Sequence, residues 1–176
     1  MGEPPKYKYM PEELWTTPDL KGVDPKRVVD LLLAALADEL LAFHQYMLTA
    51  YALKGPYSEE ISEVFKKIAK DELEDHFTRI AERLQDFNVD IPDFRDFWSL
   101  SRCKQPPLPQ DPYDLDAWLK AAIEAEECAI SYYREIYDYV KDKDIRTEEL
   151  IEHILTDEIE HYTLFKNLLT KAASKG

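Results

Sequence analysis

From Val28 onward the apolar residues of this chain return every three or four positions: Val28, Leu31, Leu32, Ala35, Leu36, Leu40 and Phe43. That spacing traces one face of an amphipathic helix. Asp24-Pro25 supplies its start, an N-cap followed by proline at the first helical position, and Gly55-Pro56 stops it after about Lys54. Ser58 is placed to cap a second helix, with Ile61, Val64, Phe65, Ile68, Leu73, Ile80 and Leu84 as its apolar stripe, fading near Asn88. A third runs from about Asp114 to Val140 through Trp118, Leu119, Ile123, Ala129, Tyr133 and Ile136. After a short link, Lys141 to Arg146, a fourth spans Thr147 to about Ala173 on Leu150, Ile151, Ile154, Leu155, Ile159, Leu164 and Leu168.

The segment between the second and third helices, Val89 to Pro112, carries Pro92, Pro106, Pro107, Pro109 and Pro112. It is too long for a hairpin link and reads as a crossover, with a short helix expected over Pro92 to Leu100. Helices of roughly 26 residues are roughly 40 Å long. Two antiparallel pairs joined by one long crossover make an all-α, ferritin-like four-helix bundle. Its expected extent is residues 25–173, preceded by an irregular, proline-rich arm over residues 1–24. At 176 residues the chain buries a full core as one domain.

Charge narrows the range of partners. With 36 acidic against 22 basic residues the net charge is −14, which repels nucleic-acid phosphates and anionic membrane surfaces and suits a protein that concentrates cations. No apolar run approaches the roughly 20 residues that span a bilayer. Met1-Gly2-Glu3-Pro4-Pro5 does not read as a secretory signal, so a cytoplasmic location is expected. The two cysteines, Cys103 and Cys128, form at most one bridge, and a cytosolic setting normally keeps thiols reduced.

Ionisable residues on faces that should be buried carry the chemistry. In the fourth helix Glu158 and His161 leave from one face, among Ile151, Ile154, Leu155 and Phe165. A charged pair in an apolar stripe is costly unless compensated, and a divalent metal compensates it. In the second helix the glutamate–histidine spacing is four, Glu72 to His76. Either the helix is wound more loosely there, as in a π-bulge, or another acid such as Asp75 is the ligand; Glu72 is preferred. Glu39 and Glu126 occupy the core-facing stripes of the first and third helices. One Glu from each of two helices and a Glu plus His from each of the others is the ligand set of di-iron and di-manganese carboxylate bundles. Hard carboxylates bridge two cations, and imidazole suits iron or manganese. The set is Glu39, Glu72, His76, Glu126, Glu158 and His161. His44 and His153 fall off these faces and read as surface or packing residues. Tyr46 and Tyr133, one heptad beyond Glu39 and Glu126, are near enough to hydrogen-bond a ligand, although packing is the favoured reading. Trp98 and Trp118 are expected to anchor the crossover and the start of the third helix.

Several of these stretches resemble the Dps-like ferritins of archaea and bacteria, the thioferritin subgroup between bacterioferritins and true Dps proteins. The resemblance covers roughly Val28 to Leu169. It is carried by Glu124-Ala125-Glu126-Glu127-Cys128-Ala129-Ile130, by Ile154-Leu155-Thr156-Asp157-Glu158-Ile159-Glu160-His161, and by Ser101-Arg102-Cys103 followed by Pro109. It also includes Glu72 to His76 followed by Phe77, where the family likewise has Glu four before His.

The resemblance implies a bacterioferritin-like pair of iron ions in each subunit, with manganese as the other candidate. It further implies that Cys103 and Cys128 lie close to that pair as a disulfide or a redox-active dithiol; two unrelated buried thiols is the plainer alternative. It implies a homo-oligomeric, dodecameric cage that oxidises Fe(II), preferentially with hydrogen peroxide, and stores ferric iron. The absence of a basic tail argues against DNA binding, and the N-terminal arm has no evident counterpart. The competing reading is a di-metal redox enzyme that stores nothing, such as a manganese catalase-like or rubrerythrin-like peroxidase.

Overall fold

The computed structural model describes residues 10–173, and their architecture is all-helical. Helix α1 spans Pro25–Ala52, and the Asp24 carboxylate accepts the Lys26 amide at 3.0 Å, so proline and cap act as the sequence predicts. Helix α2, Ser58–Asp71, runs through a π-helical turn, Glu72–Phe77, into α3, Thr78–Asp86. The crossover contains a 3₁₀ turn, Phe94–Asp96, and the single-turn α4, Phe97–Leu100. Helices α5, Leu115–Val140, and α6, Ile145–Ala173, complete the bundle. None of these is long and apolar enough to cross a membrane among the described residues.

Three details differ from the sequence reading. Ser58 is the first helical residue rather than the cap; Tyr57 takes that position at φ 66°, with no side-chain capping bond. The Gly55-Pro56 turn has already used up the loop, with Gly55 at φ 98°. Helix α6 begins before Thr147, because the Asp144 carboxylate accepts the Thr147 amide at 3.1 Å and its hydroxyl at 2.6 Å. Trp118 does anchor the start of α5, its indole N–H donating to the Asp111 carbonyl at 2.8 Å, whereas Trp98 is exposed.

Helix α1 pairs with α2 and the π turn, and α5 pairs with α6. Buried side chains form two apolar clusters. One gathers Leu32, Leu36, Ile80, Leu84, Tyr133, Ile136 and Ile154; the other gathers Tyr46, Phe65, Ile68, Leu119, Ile123 and Phe165. Along each long helix the change from one cluster to the other falls at an acid: Glu39, Glu72, Glu126 and Glu158. A polar belt thus crosses the middle of the core.

The described part of the arm packs on its own bundle. Met10, Leu14, Leu20 and Val23 lie on the first cluster, and Leu20 bridges to Asp144. Beneath it Arg83 is buried and bonds to Asp144 at 2.7 Å, Thr147 at 2.9 Å, Asp86 at 3.1 Å and Asp19 at 3.2 Å. This guanidinium ties the arm, α3 and the cap of α6 together. Removing it takes the guanidinium from fully buried Asp144 and leaves that carboxylate its Thr147 contacts, so Arg83→Met is expected to cost about 3–5 kcal/mol. A lowered urea midpoint would report the loss; an unchanged midpoint would show that the network contributes nothing.

Candidate metal centre

The i, i+4 pair in the second helix comes together because of the π turn. A π turn needs more residues per revolution than an α turn, so Glu72 and His76 face the same way and the surplus is absorbed between them. The widened turn is supported by Thr78, whose hydroxyl donates to the Leu73 carbonyl at 3.1 Å. Asp75 is carried outward, to Arg79 at 2.6 Å and His153 at 2.5 Å. Glu72, the preferred residue, faces the core.

All six predicted residues are buried and converge. Glu39, Glu72, His76 and Glu158 present ligand atoms within 4.8 Å of one another, and so do Glu72, Glu126, Glu158 and His161. Glu72 and Glu158 belong to both groups. Two adjacent cations would be held by such an arrangement, Glu72 and Glu158 being common to both groups, with Glu39 and His76 at one end and Glu126 and His161 at the other. His76 Nδ1 lies 2.8 Å from Glu72, 3.3 Å from Glu39 and 3.3 Å from Glu158.

Buried polar atoms here lack partners. Among the described residues, Glu72 Oε1, Glu126 Oε2 and His161 Nδ1 have no hydrogen bond, although Glu72 Oε1 and His161 Nδ1 stand 3.4 Å apart. Orphaned donor and acceptor atoms are rare in a well-packed interior, and of the five among the described residues these three belong to the ligand groups, the other two being Thr17 Oγ1 and Gln105 Oε1. A cation held by these residues would supply the missing partner. The charges also match, since four carboxylates and two neutral imidazoles balance two divalent ions.

Without a cation, burial and crowding shift Glu72, Glu126 and Glu158 upward. Burial, and then the charge of Glu72, pushes Glu158 up to about 7. Burial and Glu158 hold Glu126 well above the usual carboxylate range, and burial with Glu39 raises Glu72. Burial alone would lower both histidines, but Glu158, Glu39 and Glu72 around His76, and Glu72 and Glu126 beside His161, outweigh it and push both upward.

The surrounding residues orient this set. Tyr46 donates its hydroxyl to Glu126 at 2.5 Å, and Tyr133 donates to Glu39. The packing role favoured for them from sequence is therefore incomplete: both are buried in the core and both hold a carboxylate. Asp157 lies 3.4 Å from His76 Nε2, and Asp71 lies 3.9 Å from His161 Nε2. Carboxylates behind metal-binding imidazoles fix the tautomer and the ring orientation. The sequence reading passed over both aspartates. The available signal was the Asp-Glu pair repeated as Asp71-Glu72 and Asp157-Glu158, which sets each Asp beside the histidine of the opposite helix.

Cys103 and Cys128 are joined by a disulfide, with Cα atoms 5.8 Å apart. Cys103 lines the same small cavity, about 10 Å³, as Glu39, Glu72, Glu126 and Glu158. The crossover is held there by buried Asp38, which accepts from the Ser101 hydroxyl at 2.5 Å and the Cys103 amide at 3.0 Å. The bridge closes a loop over a separation of 25 residues, so the Cys103→Ser, Cys128→Ser double variant is expected to lose about 3 kcal/mol of unfolding free energy. Under non-reducing denaturation the parent chain should take up no alkylating groups; uptake of two would show free thiols. His44 is exposed, as expected, and half-exposed His153 bonds to Asp75.

A core crossed by a belt of four glutamates and two histidines defines a ferritin-like carboxylate bundle. The ferritin-like domain family model matches residues 29–174, and the chain belongs to this family. It is 34% identical to the DNA protection during starvation protein of Pyrococcus furiosus, over 92% of this chain and 86% of that one. Among solved structures, it is similar to the dodecameric thioferritin of Bacteroides fragilis, a bacterioferritin-related protein, with a TM-score of 0.81, 31% identity and coverage of 87% and 90% of the two chains. The bacterioferritin of Desulfovibrio desulfuricans, solved with its di-iron site in different catalytic states, aligns at a TM-score of 0.70 and 25% identity, over 85% of this chain and 81% of that one.

Proposed function

We propose that this protein binds two Fe(II) ions through Glu39, Glu72, His76, Glu126, Glu158 and His161, oxidises them with hydrogen peroxide, and stores the ferric product in a homo-oligomeric cage of twelve chains. The observation that carries this reading is the pair of overlapping ligand groups with their unpartnered buried atoms. The Bacteroides relative, itself dodecameric, supports the assembly. Two Fe(II) side by side supply the two electrons that cleave one O–O bond, and two protons complete two waters, so no hydroxyl radical is released. Glu126 and Glu158 give up their protons as cations bind. Tyr46 and Tyr133 keep Glu126 and Glu39 aimed at the site. Apolar clusters on both sides exclude bulk water.

Native mass measurement with metal analysis tests the proposal. A mass of twelve chains and uptake of many irons per chain, consuming one peroxide per two Fe(II), is expected. A small oligomer that retains two metals per chain and rapidly disproportionates peroxide would replace it with the peroxidase reading.

A further inference from the structure

The outward face of the π turn carries a second set of carboxylate and imidazole side chains. Asp75, displaced by the surplus residue, meets His153 of α6, with Nε2 at 2.5 Å from Asp75 Oδ2. The same Nε2 lies 3.5 Å from Asp157 Oδ2. Asp75, His76 and Asp157 also present ligand atoms within 4.8 Å of one another. Fully buried His76 closes the inner side of the group, its Nε2 directed at Asp157 at 3.4 Å. The outer side faces solvent, with the side chains of His153, Asp75 and Asp157 about one third to two fifths exposed; His153 also forms part of the wall of a surface cavity of about 250 Å³ lined by Arg79, Arg83 and Arg146 as well as Glu82, Asp86 and Glu149.

We infer that Asp75, His153 and Asp157 form a third divalent-cation site, on the solvent side of His76 and separate from the two central positions. Two carboxylates and one imidazole from two helices supply three protein ligands, and water completes the shell on the open side. The competing account is a surface ion pair between protonated His153 and Asp75, a contact type worth little. Asp157 reaches the same nitrogen through its i, i+4 spacing from His153 on α6, and its Oδ2 also lies 3.4 Å from His76 Nε2, so one carboxylate stands between the two imidazoles. Arg79 occupies Asp75 Oδ1 at 2.6 Å but leaves Oδ2 to face His153. With His153 neutral, the two carboxylates and Arg79 sum to a net negative charge, so the group still attracts a dication. His76 keeps Nδ1 for the centre and offers only its Nε2 proton to Asp157, so both sites can be filled together. In this position the outer site collects cations bound for the centre, a role that rests on the function proposed above.

Zn(II) added to the metal-free, fully assembled protein is the probe. Crystals soaked in Zn(II) should show an anomalous peak about 2.0–2.1 Å from His153 Nε2, in addition to the central peaks. Calorimetric titration of His153→Ala should bind one Zn(II) per chain fewer than the parent, with an unchanged helical spectrum because His153 is half-exposed. Asp75→Asn should weaken the same step by about 10-fold or more. Absence of the peak at His153, or equal stoichiometry in parent and His153→Ala, overturns the site. Glu126→Ala separates this result from the central reading, since it removes a central position and leaves the outer one. If the outer peak is present and both central peaks are missing, the proposed function fails and this site stands. For the collecting role, His153→Ala should slow Fe(II) oxidation at limiting Fe(II) and match the parent at saturation; an equal rate at limiting Fe(II) overturns that role.

Discussion

Glu126→Ala and His161→Ala are each expected to reduce peroxide-dependent Fe(II) oxidation by more than about 100-fold while leaving the helices intact. That figure is the upper end of the cost of losing an outer partner of a metal ligand, and these two residues are the proposed ligands themselves. Each removes half of the end group of one cation position, and neither belongs to the other position. A single remaining cation supplies one electron where peroxide requires two, so the variants should also release hydroxyl radical that a spin trap detects. Stopped-flow absorbance gives the rate and circular dichroism the helix content. Native rates in both variants would show that the site is misassigned. Glu126→Ala also strands the Tyr46 hydroxyl, whose partner is Glu126, at a cost of about 1–3 kcal/mol. Tyr46→Phe paired with Glu126→Ala should recover part of that stability and none of the activity.

The second large effect concerns metal removal and pH together. Each cation present at a thousandfold excess over its Kd is expected to stabilise the fold by about 4 kcal/mol. For a chain of this size that corresponds to about 8–16 °C in Tm. Chelation should remove this increment, and the loss should grow as pH rises. Glu158 is raised from 4.5 to about 7 in the metal-free fold, so the folded chain holds a proton that the unfolded chain has released. Its stabilising contribution is present below about pH 4.5 and is lost as pH climbs through about 7. Glu72, Glu126 and His161 are shifted in the same direction and add to the trend. The metal-free protein should therefore lose Tm across this window. Metal affinity should rise over the same window, because the cation displaces those protons. Scanning calorimetry with and without chelator, at several pH values, measures both slopes. A metal-free Tm that rises with pH would mean that these carboxylates are ionised in the folded chain.

Much of this was legible before any coordinates. The apolar stripes place all four long helices, because a helix that buries one face must repeat near 3.6 residues. Acids within a stripe are conspicuous because an unpaired buried charge costs more than a fold can easily absorb. Glu39, Glu126, Glu158 and His161 follow from that rule alone. Glu72 and His76 required a choice, since an i, i+4 pair is offset in an α-helix. The family resemblance supported the choice, and the π turn supplies its physical basis.

The remainder depended on the third dimension. Asp71 and Asp157 are ordinary helical acids in sequence, and only the approach of α2 and α6 sets each behind the opposite histidine. Ser58 looked like a cap because its residue type suits one, but capping depends on the dihedral angles that the preceding turn imposes. Trp98 looked like an anchor because it is large and apolar, and the crossover turns it to solvent.

The chain thus determined by itself that four amphipathic helices would form, and that Glu39, Glu126, Glu158 and His161, side chains of metal-binding type, would lie on their buried faces. Periodicity and the cost of burying charge are local properties, readable one helix at a time. Which carboxylates the two ligand groups have in common, how Cys103 comes to line the cavity beside Glu39, and where Asp75 points were decided by the packing of helices distant in sequence. Those distances arise only when the apolar clusters on either side of the belt close together.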